Sequence, residues 1–204
     1  IAQAGIPQPP SAYDTIASPL VYGDVAITYP PPFGYVRGVV KIQGNAHDGS
    51  FMLYRLDSGR GLNPENWTQI GQDHPSPVYA GELGEWDTGG LDGLYSIRLT
   101  VLQGGNAIRE FIIQVTVDNM PPQIQLPGLQ DGQKFRMSDE FLVMQPFISD
   151  NVSMDRVEFY VDDQLIITST IAPFNERWII TSPGRHTIQL RAYDSAGNTA
   201  VSDR

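Results

Sequence analysis

Two stretches about 91 residues apart carry nearly the same pattern: "GLYSIRLTVLQGGN", Gly93 to Asn106, and "GRHTIQLRAYDSAGN", Gly184 to Asn198. In each, apolar residues occupy every second position, Ile97, Leu99 and Val101 in the first and Ile188, Leu190 and Ala192 in the second. Period two is the periodicity of a strand with one face buried and one wet. A tryptophan precedes each stretch at nearly equal distance, Trp86 and Trp178. The chain therefore holds two copies of one β unit, and its 204 residues suffice for two domains of about 100 residues, each with its own core. The copies differ at one telling place: Gln103 stands where the second copy has Asp194.

The remaining runs agree. "YVRGVVKIQG" puts Val36, Gly38, Val40 and Ile42 on one face, and "FIIQVTV" does the same with Phe111, Ile113, Val115 and Val117. "RVEFYVDDQLIITST" reads as a hairpin, with Val157, Phe159 and Val161 inward, Asp162-Asp163 turning the chain, and Leu165 and Ile167 returning inward. With 20 glycines and 16 prolines punctuating the chain, no run suits a long helix. The expected fold is all-β, two tandem immunoglobulin-like β-sandwiches. The consecutive prolines Pro121 and Pro122 remove two backbone donors and stiffen the connection, which places the boundary near Asn119. The expected division is a Pro-rich linker over 1–20, a first Ig-like domain over 21–119 and a second over 120–204.

Composition excludes several functions. A formal net charge of −10 with only two lysines, Lys41 and Lys134, argues against a nucleic-acid partner. Without cysteine there is no disulfide, thiol nucleophile or thiolate metal site. No apolar run approaches the roughly 18 residues of a membrane span. "IAQAG" carries neither an initiator Met nor a leader, so the chain reads as a piece of a longer protein.

"WDTGGLDGLYSIRLTV" with "VTVDNMPP", and "DNVSMDRVEFYVDDQLI" with "APFNERW" and "GRHTIQLRAYDSAGN", resemble bacterial Ig-like domains found in tandem on exported proteins. Within that group the chain resembles the C-terminal extension of bifunctional (class A) penicillin-binding proteins. The resemblance covers about residues 21–204. It implies a non-catalytic spacer or interaction module, extracytoplasmic, at the cell envelope or cell surface, whose partners are the parent's other domains, envelope proteins or cell-wall glycan. The transpeptidase itself is not in the chain, since Ser-x-x-Lys, which carries the nucleophile, and Lys-Thr-Gly are both missing.

Candidate chemistry is sparse. His47, His74 and His186 are scattered and have no zinc-ligand spacing. Glu82, Glu85, Asp87 and Asp92 gather in the glycine-rich "GELGEWDTGGLDG", which reads as a solvated turn. No catalytic residue or cofactor is expected. Calcium is the one metal the residue types favour: Asp118, Asn119, Asp150 and Asp194 lie at loop positions and supply the oxygen ligands a hard cation takes. Asp and Asn favour tight turns for their own reasons, and the missing carboxylate at Gln103 points to turn geometry for the corner after Asp194. The calcium reading implies an adhesion module. Trp67, without a counterpart in the second copy, is the candidate for glycan contact, because aromatic faces pack on apolar sugar faces. Trp86 and Trp178 are expected in the cores.

Overall fold

The computed structural model describes residues 23–203; the Pro-rich segment expected over 1–20 lies outside them. The first half forms eight strands: β1 (Val25–Tyr29), β2 (Gly34–Val36), β3 (Val39–Ala46), β4 (Phe51–Arg60), β5 (Thr68–His74), β6 (Val78–Asp87), β7 (Gly93–Gln103) and β8 (Ile108–Val117). They make two sheets, β1-β3-β6 and β2-β8-β7-β4-β5, antiparallel except for the parallel pair of β2 and β8. The alternation read from the sequence does the work: Ile97, Leu99, Val101, Ile113, Val115 and Val117 are all buried between the sheets. The Tyr54 hydroxyl, deep in this core, donates to the Leu83 carbonyl at 2.8 Å, so its burial leaves no polar group unpaired.

"YVRGVVKIQG" does not form one strand. Val36 ends β2 in the larger sheet, Gly38 adopts φ +60, and Val40 and Ile42 belong to β3 in the smaller sheet. The left-handed glycine turns the chain from one sheet into the other, and Gly38 itself is exposed rather than on the inner face. Likewise "GELGEWD" is strand rather than turn. It belongs to β6, where a bulge at Leu83 shifts the parity so that both Leu83 and Trp86 are buried, and Glu82 and Glu85 flank Lys41 at 3.2 and 3.6 Å. Only the residues after Asp87 turn.

Gly44 lets β1 lie close on β3: a Cβ there would run into the Ala26 carbonyl oxygen. Gly44→Ala is expected to cost about 1–3 kcal/mol by forcing β1 outward. Urea denaturation checks this, and a change under about 0.5 kcal/mol would show that β1 shifts freely.

The second half repeats the plan with β9 (Gln123–Gln125), β10 (Phe141–Met144), β11 (Phe147–Ser149), β12 (Met154–Val161), β13 (Gln164–Ser169), β14 (Glu176–Ile179), β15 (Ile188–Asp194) and β16 (Thr199–Val201). One sheet runs β13-β12-β15-β16; facing it are the short pairs β10-β14 and β9-β11. Gln145-Pro146 separates β10 from β11, a proline having no N–H for a ladder. The hairpin turns at Asp162 and Asp163, both at positive φ. A bulge between Phe159 and Tyr160 shifts the pairing, so Leu165 stands outward and exposed while Ile167 packs on the core.

β7 and β15 occupy the same place in the two units, each between the neighbour sheet strand (β4 or β12) and the last strand (β8 or β16). β6 and β14, carrying Trp86 and Trp178, correspond likewise, each being an edge strand of a small sheet paired antiparallel with β3 or β10. The chain is thus two tandem immunoglobulin-like β-sandwiches with separate hydrophobic clusters, the second distinctly smaller. Trp86 is in its core at 4% exposure; Trp178 is half-buried at the margin of the other, edge-on to His186.

Candidate functional site

The segment between the sandwiches, residues 118–122, meets four loops, residues 37–38 and 88–92 of the first sandwich and 150–153 and 195–198 of the second. Asp118 follows the last buried position of β8 and is itself fully buried. Its backbone N–H continues the ladder to Val36 O at 2.9 Å, and its Oδ1 accepts from Met120 N at 3.1 Å. Its Oδ2 is buried without a hydrogen-bond partner. Asp150, in the loop from β11 to β12, accepts with Oδ2 from Val152 N and Ser153 N at 2.8 and 2.9 Å, while its Oδ1 is likewise closed off and unpartnered.

Asp194 arrives by strand parity. Leu190, Ala192 and Asp194 share the inward face of β15, so the core face ends in a carboxylate at 2% exposure. Asp194 holds the turn to β16, accepting from Asn198 N at 2.8 Å and from Asn198 Nδ2 at 2.7 Å. The corner is therefore a turn, as expected, and it is also part of the junction. One oxygen from each of Asp118, Asp150 and Asp194 lies within 4.8 Å of the others. Burial pushes the Asp118 carboxyl above the ordinary carboxylate range, and the neighbouring charges of Asp150 and Asp194 push it further.

Asn119, the fourth calcium candidate, has its side chain engaged by the first sandwich. Its Oδ1 accepts from Gly38 N at 2.8 Å, and its Nδ2 donates to Thr88 O and Leu91 O at 2.8 and 3.0 Å. It braces the place where the chain changes sheets. Asn198 closes the corner after Asp194 and also spans the junction. Its Nδ2 donates to the Asp118 carbonyl at 2.9 Å, and its Oδ1 accepts from Arg37 Nη1 at 3.2 Å. A further cross-junction bond runs from Asn151 Nδ2 to Asp92 Oδ1 at 3.1 Å. The signal that would have found Asn198 is the second copy's departure at Asp194, since the pair works as one hydrogen-bonded unit.

The other candidates lie elsewhere. Trp67 is half-buried with the Arg98 guanidinium over its ring at 4.2 Å, and Arg98 in turn bonds Asp57. One ring face is thus already taken. The histidines are dispersed: His47 stacks on Tyr79, His74 on Tyr54, and His186 bonds Asp162 at 2.6 Å and the Ser182 carbonyl at 3.1 Å. The Asp162 carboxylate raises the His186 pKa, and His186 lowers that of Asp162. No helix among the described residues is long and apolar enough to cross a membrane.

Comparison with known proteins agrees with this architecture. Residues 122–190 match the bacterial Ig domain family. A Bacillus subtilis (strain 168) protein described as uncharacterized protein YvnB is 28% identical over 132 residues, which is 64% of this chain and 9% of that protein. The chain thus spans a small part of that relative's length. Among solved structures, the fibronectin(III)-like modules of Clostridium thermocellum CbhA superpose with a TM-score of 0.54 at 19% identity, over 86% of this chain and 89% of that one. That likeness is one of fold, and with the family match it makes the chain a pair of immunoglobulin-like sandwiches whose second member resembles a bacterial Ig domain.

Proposed function

We propose that the chain is a non-catalytic spacer and positioning module of an exported bacterial protein, dividing near Asn119 into domains of about residues 21–119 and 120–204. The observation that carries this reading is the braced junction. Asn198 of the second sandwich is bonded both to Arg37 of the first and to the Asp118 carbonyl, while Pro121 and Pro122 limit the backbone between them. A module that only tethered its neighbours would need no such bonds; one that sets their distance and angle does. The parent we favour, from the sequence resemblance, is a penicillin-binding protein of the bacterial cell envelope, in which the pair would hold the enzyme at a set position relative to peptidoglycan.

NMR relaxation tests the spacer reading directly. The two sandwiches are expected to tumble with one rotational correlation time, and Asn198→Ala to separate their values. Independent tumbling of the unaltered chain would refute rigidity. Sedimentation with purified peptidoglycan tests for glycan contact: the spacer reading expects no binding. Binding abolished by Trp67→Ala would instead make the chain a carbohydrate-binding module.

A further inference from the structure

Three carboxylates from three separate segments converge at the junction, and among the described residues no counter-charge is bonded to them. Arg37 reaches the region, yet its guanidinium donates to the Asn198 amide oxygen and not to a carboxylate. Like charges this close repel, and in a site screened from water the repulsion is large. Two further facts go beyond the clustering itself. Asp118 is fully buried and its Oδ2 has no hydrogen-bond partner among the described residues, and Asp150 Oδ1 is in the same condition. Buried polar atoms are ordinarily satisfied, and an unsatisfied carboxylate oxygen in the company of two others calls for a cation.

We propose that Asp118, Asp150 and Asp194 bind a calcium ion that ties the inter-sandwich segment to the second sandwich. The donor set is all oxygen, which suits a hard divalent cation and none of the softer metals. Calcium takes six to eight oxygens in irregular arrangements, so water and backbone carbonyls can complete the shell; magnesium demands a near-ideal octahedron. Three carboxylates carried by a linker, a loop and a strand end meet the first requirement more readily than the second. The site is independent of the spacer reading, since the ion joins residues on either side of one chain segment whatever the pair is used for. Its occupancy would draw Asp118, Asp150 and Asp194 together where repulsion otherwise loosens them.

The test uses the 204-residue chain stripped with chelator and titrated with calcium chloride alone. Calorimetry is expected to show one site with a Kd of about 10⁻⁴–10⁻³ M, the range of extracellular modules. At 10 mM calcium the melting temperature of the second sandwich is expected to rise by roughly 5–20 °C. NMR shift changes should centre on residues 118–120, 150–153 and 194–198. No heat and no shift at 10 mM would overturn the proposal, and so would changes centred elsewhere. An equal stabilisation by magnesium chloride would overturn the choice of ion.

Asp150→Asn keeps an oxygen acceptor for Val152 N and Ser153 N but removes a charge, so it should fold and lose the calcium response. Asp118→Asn should lose it too, while melting no lower than the parent in chelator, because it removes repulsion from a buried cluster. A full calcium response in both variants would place the ligand elsewhere. None of these results bears on whether the sandwiches tumble together, so failure here and failure of the spacer reading are separately visible.

Discussion

Phe159→Ala is expected to unfold the second sandwich and leave the first standing. Phe159 is fully buried on β12, opposite Ile167 of β13 and Leu190 of β15, in the smaller of the two cores. Truncating a buried phenylalanine costs about 3–5 kcal/mol. A domain of this size has a total stability near 0.05–0.15 kcal/mol per residue, so the loss takes a large share of what the second sandwich has. The larger cluster, built on Ile27, Leu56 and Leu99 among others, shares none of those contacts. Calorimetry is expected to resolve two transitions in the variant, the lower one belonging to residues 123–203. A single transition displaced as a whole would mean that the two cores unfold as one unit and that the junction couples them more strongly than a few side-chain bonds can.

The second large effect separates two residues that the sequence makes look alike. Trp86 and Trp178 sit on corresponding strands, but Trp86 is enclosed, edge-on to Tyr95 with ring centroids 5.7 Å apart, whereas Trp178 is half-buried beside His186. Trp86→Ala is expected to cost about 3–5 kcal/mol of the first sandwich's stability. Trp178→Ala should cost the second about 1–2 kcal/mol, in proportion to the smaller apolar area it removes from the core. Urea titrations of the two variants provide the comparison. Equal losses would show that position in the repeat, and not enclosure, sets the contribution.

These residues also show how far the sequence could be read. Alternation fixes the inner face of a strand, so Ile97, Leu99, Val101 and Phe159 were legible as core and are core. Alternation says nothing about which sheet a strand joins. Val36, Val40 and Ile42 are all buried on either side of a turn at Gly38 that moves the chain between sheets, and only the backbone conformation at Gly38 reveals it. Leu165 failed for a related reason, since a bulge in the hairpin shifts the register and parity with it.

At the junction, each carboxylate was visible singly as a loop or strand-end residue. Their meeting depends on the order of strands in two sheets, which no local pattern encodes. Asn198 was hidden by its fitness for a turn, because the same amide that closes the corner also reaches across to Asp118 and Arg37. The difference between the copies, Gln103 against Asp194, was the one local clue that the second corner does something the first does not.

The parallel pairing of β2 with β8 has a mechanical consequence. β2 lies near the start of the first sandwich and β8 at its end, and their register runs from Gly34 against Val115 to Val36 against Val117. The pairing is extended by Phe33 N to Gln114 O at 2.6 Å and by Asp118 N to Val36 O at 2.9 Å. Tension carried along the chain across this sandwich pulls the two strands in opposite directions along their own axes. The bonds between them are then loaded in shear, together, instead of being opened one after another from an end. Such a patch yields at a higher force than a hairpin unzipped from its tip, which suits a link that transmits load between the parts it joins.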